Sequence, residues 1–152
     1  MPWPFSKRKP TTRAQFLAAA EQQIKHGVPR QAICNQWLKV DHAMREPDEL
    51  AAYLEAEKVL FNVMVERNLQ GKALEQANNV DAAIRLYEAN LQDQFRGSHP
   101  YERLRIIYTQ RKDYPNAIRA CQAFLKLPGQ EGSKRSRFKE HLAKLQEKAR
   151  AG

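Results

Sequence analysis

The sequence has little of what catalytic, disulfide-bonded or membrane proteins need. Only two cysteines occur, Cys34 and Cys121, 87 positions apart and with no second thiol near either. They read as small buried hydrophobes in a reducing compartment rather than as a bridge or a metal site. No apolar run approaches the length that crosses a bilayer, so no integral membrane segment is expected. The opening Met1-Pro2-Trp3-Pro4-Phe5-Ser6-Lys7-Arg8-Lys9 puts aromatics ahead of charge with no apolar core behind them. That order is unlike a secretion signal, and a cytoplasmic location is expected. Glycine is sparse, at six residues in 152. No phosphate loop, nucleophile elbow or acidic cluster at catalytic spacing is present. The histidines His26, His42, His99 and His141 are scattered, and none has a partner at metal-binding spacing. No enzyme, cofactor or metal is expected.

What is present is helix-forming. Hydrophobic residues make up 42% and charged ones 28%, a globular composition in a chain long enough to bury a core. Ala, Leu, Glu, Gln, Lys and Arg fill long stretches, and no segment alternates with period two for long enough to argue a strand. The net charge of +9 is unevenly placed. Residues 1–13 carry four basic residues and no acid, residues 132–152 carry seven against Glu140 and Glu147, and residues 14–131 carry fifteen of each sign. A domain that grips nucleic acid over its folded face has a basic body instead. Basic ends imply weak, nonspecific attraction to nucleic acid or anionic lipid.

Thr11 or Thr12 can cap a first helix with Phe16, Leu17, Ala20 and Ile24 on one face. Gly27 ends it, and Pro29 suits the start of a second helix that aligns Ile33, Trp37, Val40 and Met44. After Glu46-Pro47-Asp48, a long apolar pattern runs from Leu50 to Leu74, predicting one helix of unusual length or two with a bend. Asn78-Asn79 marks a turn before Ala83, Ile84, Tyr87 and Leu91. Gly97-Ser98-His99-Pro100 stops one helix and starts another, with Leu104, Ile107 and Tyr108 apolar. Asp113-Tyr114-Pro115 turns the chain into Ala117, Ile118, Cys121, Phe124 and Leu125. The last segment lines up Phe138, Leu142, Leu145 and Ala149. The predicted fold class is all-α.

Two of these hairpins are in register. Asp81-Ala82-Ala83-Ile84-Arg85-Leu86-Tyr87 aligns with Pro115-Asn116-Ala117-Ile118-Arg119-Ala120-Cys121 at an offset of 34 residues. A helix-turn-helix unit recurring at that period resembles the tetratricopeptide repeat (TPR) family. The later unit, about 98–131, matches at Tyr101, Leu104, Tyr108, Ala117 and Pro128 and departs at Arg105, where a small residue is usual, and at Lys112, where glycine is usual. The earlier unit, about 64–97, keeps Gly71, Ala83 and Tyr87 but loses the large residue at Arg67 and Gln70 and the closing proline at Phe95. A degenerate hairpin spans about 13–46, with residues 47–63 as a helical insertion. The block from Ser98 to Tyr108 with Asp113-Tyr114 is also similar to small bacterial repeat proteins. The resemblance implies a stack of antiparallel helical hairpins, a single domain over 12–150 behind a flexible basic tail at 1–11, and a capping helix at 134–149.

It also implies a protein–protein interaction adaptor or scaffold that holds a peptide or protein partner in a concave groove lined by the first helix of each unit. The candidates on the earlier unit are Asn68, Lys72, Glu75 and Gln76. On the later unit they are His99, Glu102, Arg103, Ile106, Thr109 and Gln110. Some relatives clamp a peptide's terminal carboxylate with Lys, Asn and Arg on this face, and Asn68, Lys72 and Arg103 form part of such a set. A different reading starts from residues 13–26, the turn Gly27-Val28-Pro29 and residues 30–40. These have the form of a DNA-reading helix-turn-helix presenting Gln31, Asn35 and Lys39 to bases or phosphates. A third has Trp3 and Phe5 beside Lys7-Arg8-Lys9 touching an anionic membrane surface, against a disordered tail.

Overall fold

The computed structural model describes residues 10–38, 46–130 and 132–151. The expected contacts of residues 1–9, of Lys39, Val40, His42 and Met44, and of the Trp37 side chain lie outside the described residues. Among the described residues the chain is all-helical, with seven helices and no strand. These are α1 (Arg13–Lys25), α2 (Arg30–Leu38), α3 (Pro47–Gln76), α4 (Val80–Gln92), α5 (His99–Gln110), α6 (Tyr114–Leu125) and α7 (Ser133–Ala151). No described helix is long and apolar enough to cross a membrane.

The chain divides into two compact units, Met1–Glu66 and Arg67–Gly152. In the first unit, Thr12 rather than Thr11 caps α1. Its hydroxyl accepts from the Gln15 backbone N–H at 3.2 Å while Gln15 Oε1 accepts from the Thr12 N–H at 3.3 Å, closing a capping box. Phe16 and Ala20 of α1, Ile33 and Cys34 of α2, and Tyr53, Ala56 and Leu60 of α3 form the core. Ala32, matched by its distance from Gly27 to Ala83 and Ala117, is only half-buried, whereas Ile33 next to it is sealed. The second helix of this hairpin is thus turned by one residue relative to the later two.

Of the two expectations for residues 50–74, one long helix and two with a bend, the structure has the first. The helix α3 runs for 30 residues, because no Gly or Pro stands between Pro47 and Gly71 to end it.

In the second unit the 34-residue period extends to individual hydrogen bonds. Asn78 (φ 61°) and Lys112 (φ 59°) both occupy the left-handed region at the ends of α3 and α5. In the first turn Asn79 N–H bonds Leu74 O at 2.8 Å, and in the second Asp113 N–H bonds Tyr108 O at 2.8 Å. This is the six-residue closure that satisfies the last carbonyls of a helix. Glycine takes this left-handed backbone at lower cost than Lys112 or Asn78 does. Ala83 and Ala117 are fully buried, as are Tyr87, Cys121 and Phe124. The helix α5 packs on α4 and α6, and α6 on α7, around a core that includes Tyr101, Leu104, Phe124, Phe138 and Leu145. The Phe124 and Phe138 rings stack at 4.1 Å, fastening α7 to α6. Ala149, expected on the apolar stripe of α7, is exposed, because that helix outruns the core.

The two repeats are filled differently. Tyr101, Phe124 and Leu127 are buried in the later one. The residues 34 positions earlier are Arg67, Asn90 and Asp93. There the Arg67 guanidinium donates to Asp93 Oδ2 at 2.6 Å and Asn90 Oδ1 at 3.2 Å. Asn90 Nδ2 donates in turn to Asn68 Oδ1 at 2.9 Å. An apolar layer in one repeat is a hydrogen-bonded layer in the other. The same exchange governs size. Gly71 lies against the Tyr87 ring, whereas 34 residues on Arg105 stands within electrostatic reach of the small Cys121. The large and small residues of the pair are thus exchanged between the two repeats.

Candidate functional site

Lys72, Glu75 and Gln76 end α3, His99 and Arg103 begin α5, and together they line a cavity of about 310 Å³ in the second unit. At its centre Arg103 grips the Glu75 carboxylate. Arg103 Nη2 donates to Glu75 Oε1 at 2.6 Å and Nε lies 3.1 Å from Oε2. Tyr87 O–H donates to Glu75 Oε2 at 2.6 Å, and the His99 ring meets the Tyr87 ring edge-on at 5.6 Å. Lys72 and Gln76 are exposed at the rim.

Burial raises the Glu75 pKa, but hydrogen bonds from Arg103 and Tyr87 and the Arg103 charge outweigh it and hold the carboxyl below its usual 4.5. Burial, then the bond to Glu75, pushes the Tyr87 hydroxyl well up. Burial, helped by Arg103 and Lys72 against Glu75 and Glu102, lowers His99 below 6.5. The site therefore holds a neutral imidazole beside a closed ion pair at neutral pH. Burial also raises the Cys121 thiol to about 11, which leaves it unreactive.

The carboxylate clamp is not assembled. Arg103 already holds an internal carboxylate in its fork, and Asn68 is occupied by Asn90 in the buried polar layer. Two further candidates are also engaged. Glu75, expected to face a partner, has a side chain only 15% exposed and anchors the cavity wall. The Thr109 hydroxyl is turned back onto Arg105 O at 2.6 Å. Glu102 points to α7, where its Oε1 lies 3.5 Å from Arg137 Nη2. Ile106 is half-buried and Gln110 exposed, and neither lines the cavity.

Sequence reasoning treated Tyr87 as a packing ring and missed its hydroxyl's part in the site. It read Arg105 only as a departure from the repeat pattern and His141 only as a scattered histidine, and it gave Arg137 no role. The size exchange with Gly71 and Tyr87, visible by aligning the repeats, was the available signal for Arg105.

The helix-turn-helix reading loses its first base contact. Gln31 is only 3% exposed, and its Nε2 donates to Asn35 Oδ1 at 3.2 Å. A buried amide paired with its i+4 neighbour cannot also reach a base edge.

A pH dependence follows from the site. The folded-state pKa of His99 lies below its ordinary value, and so does that of His141, which burial lowers first and the Arg105, Lys144 and Arg137 charges lower further. Protonation therefore favours the unfolded chain. The stability these rings contribute is complete above about pH 6.5 and is lost as pH falls through their lowered values. The melting temperature is expected to drop between about pH 7 and about pH 5, and the His99→Gln/His141→Gln double variant should flatten that drop in a calorimetric pH series.

The chain matches no family model, no curated protein and no solved structure.

Proposed function

We propose that this chain is a non-enzymatic, cytoplasmic adaptor or scaffold, a TPR-like stack of helical hairpins that holds a protein or peptide partner across α3 and α5. The 34-residue recurrence of turns and buried alanines supports the repeat reading. One observation carries the binding reading: the Glu75–Arg103–Tyr87 bonds stiffen the wall of the cavity, while Lys72 and Gln76 stand exposed at its rim. A rigid wall with free polar groups above it limits the entropy lost when a partner is ordered there.

The test uses rim residues, because Arg103 is part of the wall. Lys72→Ala/Gln76→Ala/Gln110→Ala should change stability by less than about 0.5 kcal/mol, as exposed substitutions usually do. Partner capture from host extract should fall by roughly tenfold or more, since few residues dominate a binding surface. A variant that melts like the wild type and keeps every partner places binding elsewhere on the molecule.

A further inference from the structure

On α7, Lys134, Arg137, His141, Lys144 and Lys148 recur at spacings of three, four, three and four. They share one flank of the helix over about 21 Å. No acid interrupts the line, since Glu140 and Glu147 fall outside it. Phe138 and Leu145 on the inner side are buried, so the basic flank cannot roll away.

The cluster continues onto α5. Arg105, Arg137 and Lys144 all act electrostatically on the half-buried His141, with Glu102 as the opposing charge. Glu102 is itself held by Arg137. The Arg105 Nε is buried and has no hydrogen-bond acceptor. A sealed guanidinium donor without an acceptor, among crowded cations, is an arrangement that folding alone disfavours.

We propose that the α5–α7 face binds an acidic helical segment of a partner protein, with carboxylates at the same three-and-four spacing. Lys134, Arg137, Lys144 and Lys148 are exposed, and an acidic helix matches this basic one position by position. Two other polyanions fit less well. No aromatic is exposed on α7 to stack bases, as single-strand binders require. A lipid surface would call for apolar side chains to insert. Among the described residues the exposed large hydrophobics are Leu54 and Leu69, both on α3. This inference concerns the α7 flank and does not depend on the Lys72–Arg103 cavity.

The probes are a fluorescent alanine-rich peptide with glutamates at the matching spacing, the same composition scrambled, a mixed-sequence single-stranded oligonucleotide and phosphatidylserine vesicles. Each is titrated with the full chain at equal ionic strength. The matched peptide should bind several-fold more tightly than the scrambled one and weaken steeply with salt. Lys144→Glu/Lys148→Glu, both exposed, should lose at least tenfold while keeping the helical circular dichroism of the wild type. Lys72→Ala/Gln76→Ala/Gln110→Ala should bind the peptide unchanged, which separates this surface from the cavity. Equal affinity for the scrambled peptide, tighter binding to the oligonucleotide or vesicles, an unaffected charge-reversal variant, or no binding at all would each overturn the proposal.

Discussion

Arg67→Ala is expected to destabilise the second unit by about 3 kcal/mol, because it takes the guanidinium counter-charge away from a buried carboxylate. The Arg67 side chain is 19% exposed and that of Asp93 only 9%. Removing the guanidinium also takes the donor from Asn90 Oδ1, in a residue that is fully buried. The cost lies in the groups left behind rather than in the net worth of the pair, so replacing the whole layer should behave differently. The later repeat supplies the replacement: Arg67→Tyr/Asn90→Phe/Asp93→Leu copies Tyr101, Phe124 and Leu127. Well-packed apolar residues commonly equal or exceed a buried ion pair in stability. The triple variant should therefore recover most of what the single variant loses. Urea denaturation of both decides the matter. A neutral Arg67→Ala means that the Asp93 carboxylate is compensated without Arg67, and a triple variant weaker than the single one means that the two repeats are not equivalent at this layer.

That comparison also marks where the sequence is legible. Helix-forming composition, the stops at Gly27, Asn78-Asn79, Gly97 and Asp113-Tyr114-Pro115, and the 34-residue offset were enough to place the later helices. They were enough because each signal is local: a turn residue acts within its own turn. The buried layer is not local. Arg67 and Asp93 are 26 positions apart, and each looks like a lost apolar residue until the other is placed opposite it. The run of α3 through residue 64 was open for a related reason, since no single residue between Pro47 and Gly71 forces or forbids a bend.

The site was legible as a location but not as chemistry. Counting outward positions brought Lys72, Glu75, Gln76, His99 and Arg103 to one face, and they do line one cavity. Periodicity cannot tell that Arg103 has an internal partner 28 residues away, or that Asn68 faces Asn90 rather than solvent. Side chains on a common face compete for one another before any ligand arrives. A list of exposed polar candidates is thus always longer than the set left free.

The contact between Gly71 and Tyr87 joins that site to the core, and it sets the second large expectation. A Cβ on Gly71 would stand 2.5 Å from Tyr87 Cε1 and 2.8 Å from Cζ, closer than side-chain atoms approach. The ring has little room to retreat, being fully buried and tied to Glu75 through its hydroxyl. Gly71→Ala should therefore cost about 1–3 kcal/mol through overpacking. It should do so even though alanine in mid-helix is intrinsically favoured by up to about 1 kcal/mol. Tyr87→Cys, which copies the later repeat, should cost more, on the order of 3–5 kcal/mol, because it empties the space the ring fills. In the double variant the added methyl points into that space, so Gly71→Ala should become neutral or stabilising, with a coupling above about 1 kcal/mol. Additive losses would mean that the glycine answers to something other than the ring. Coupled losses would establish that the two repeats solve one packing problem in opposite ways, small on α3 against large on α4 and large on α5 against small on α6.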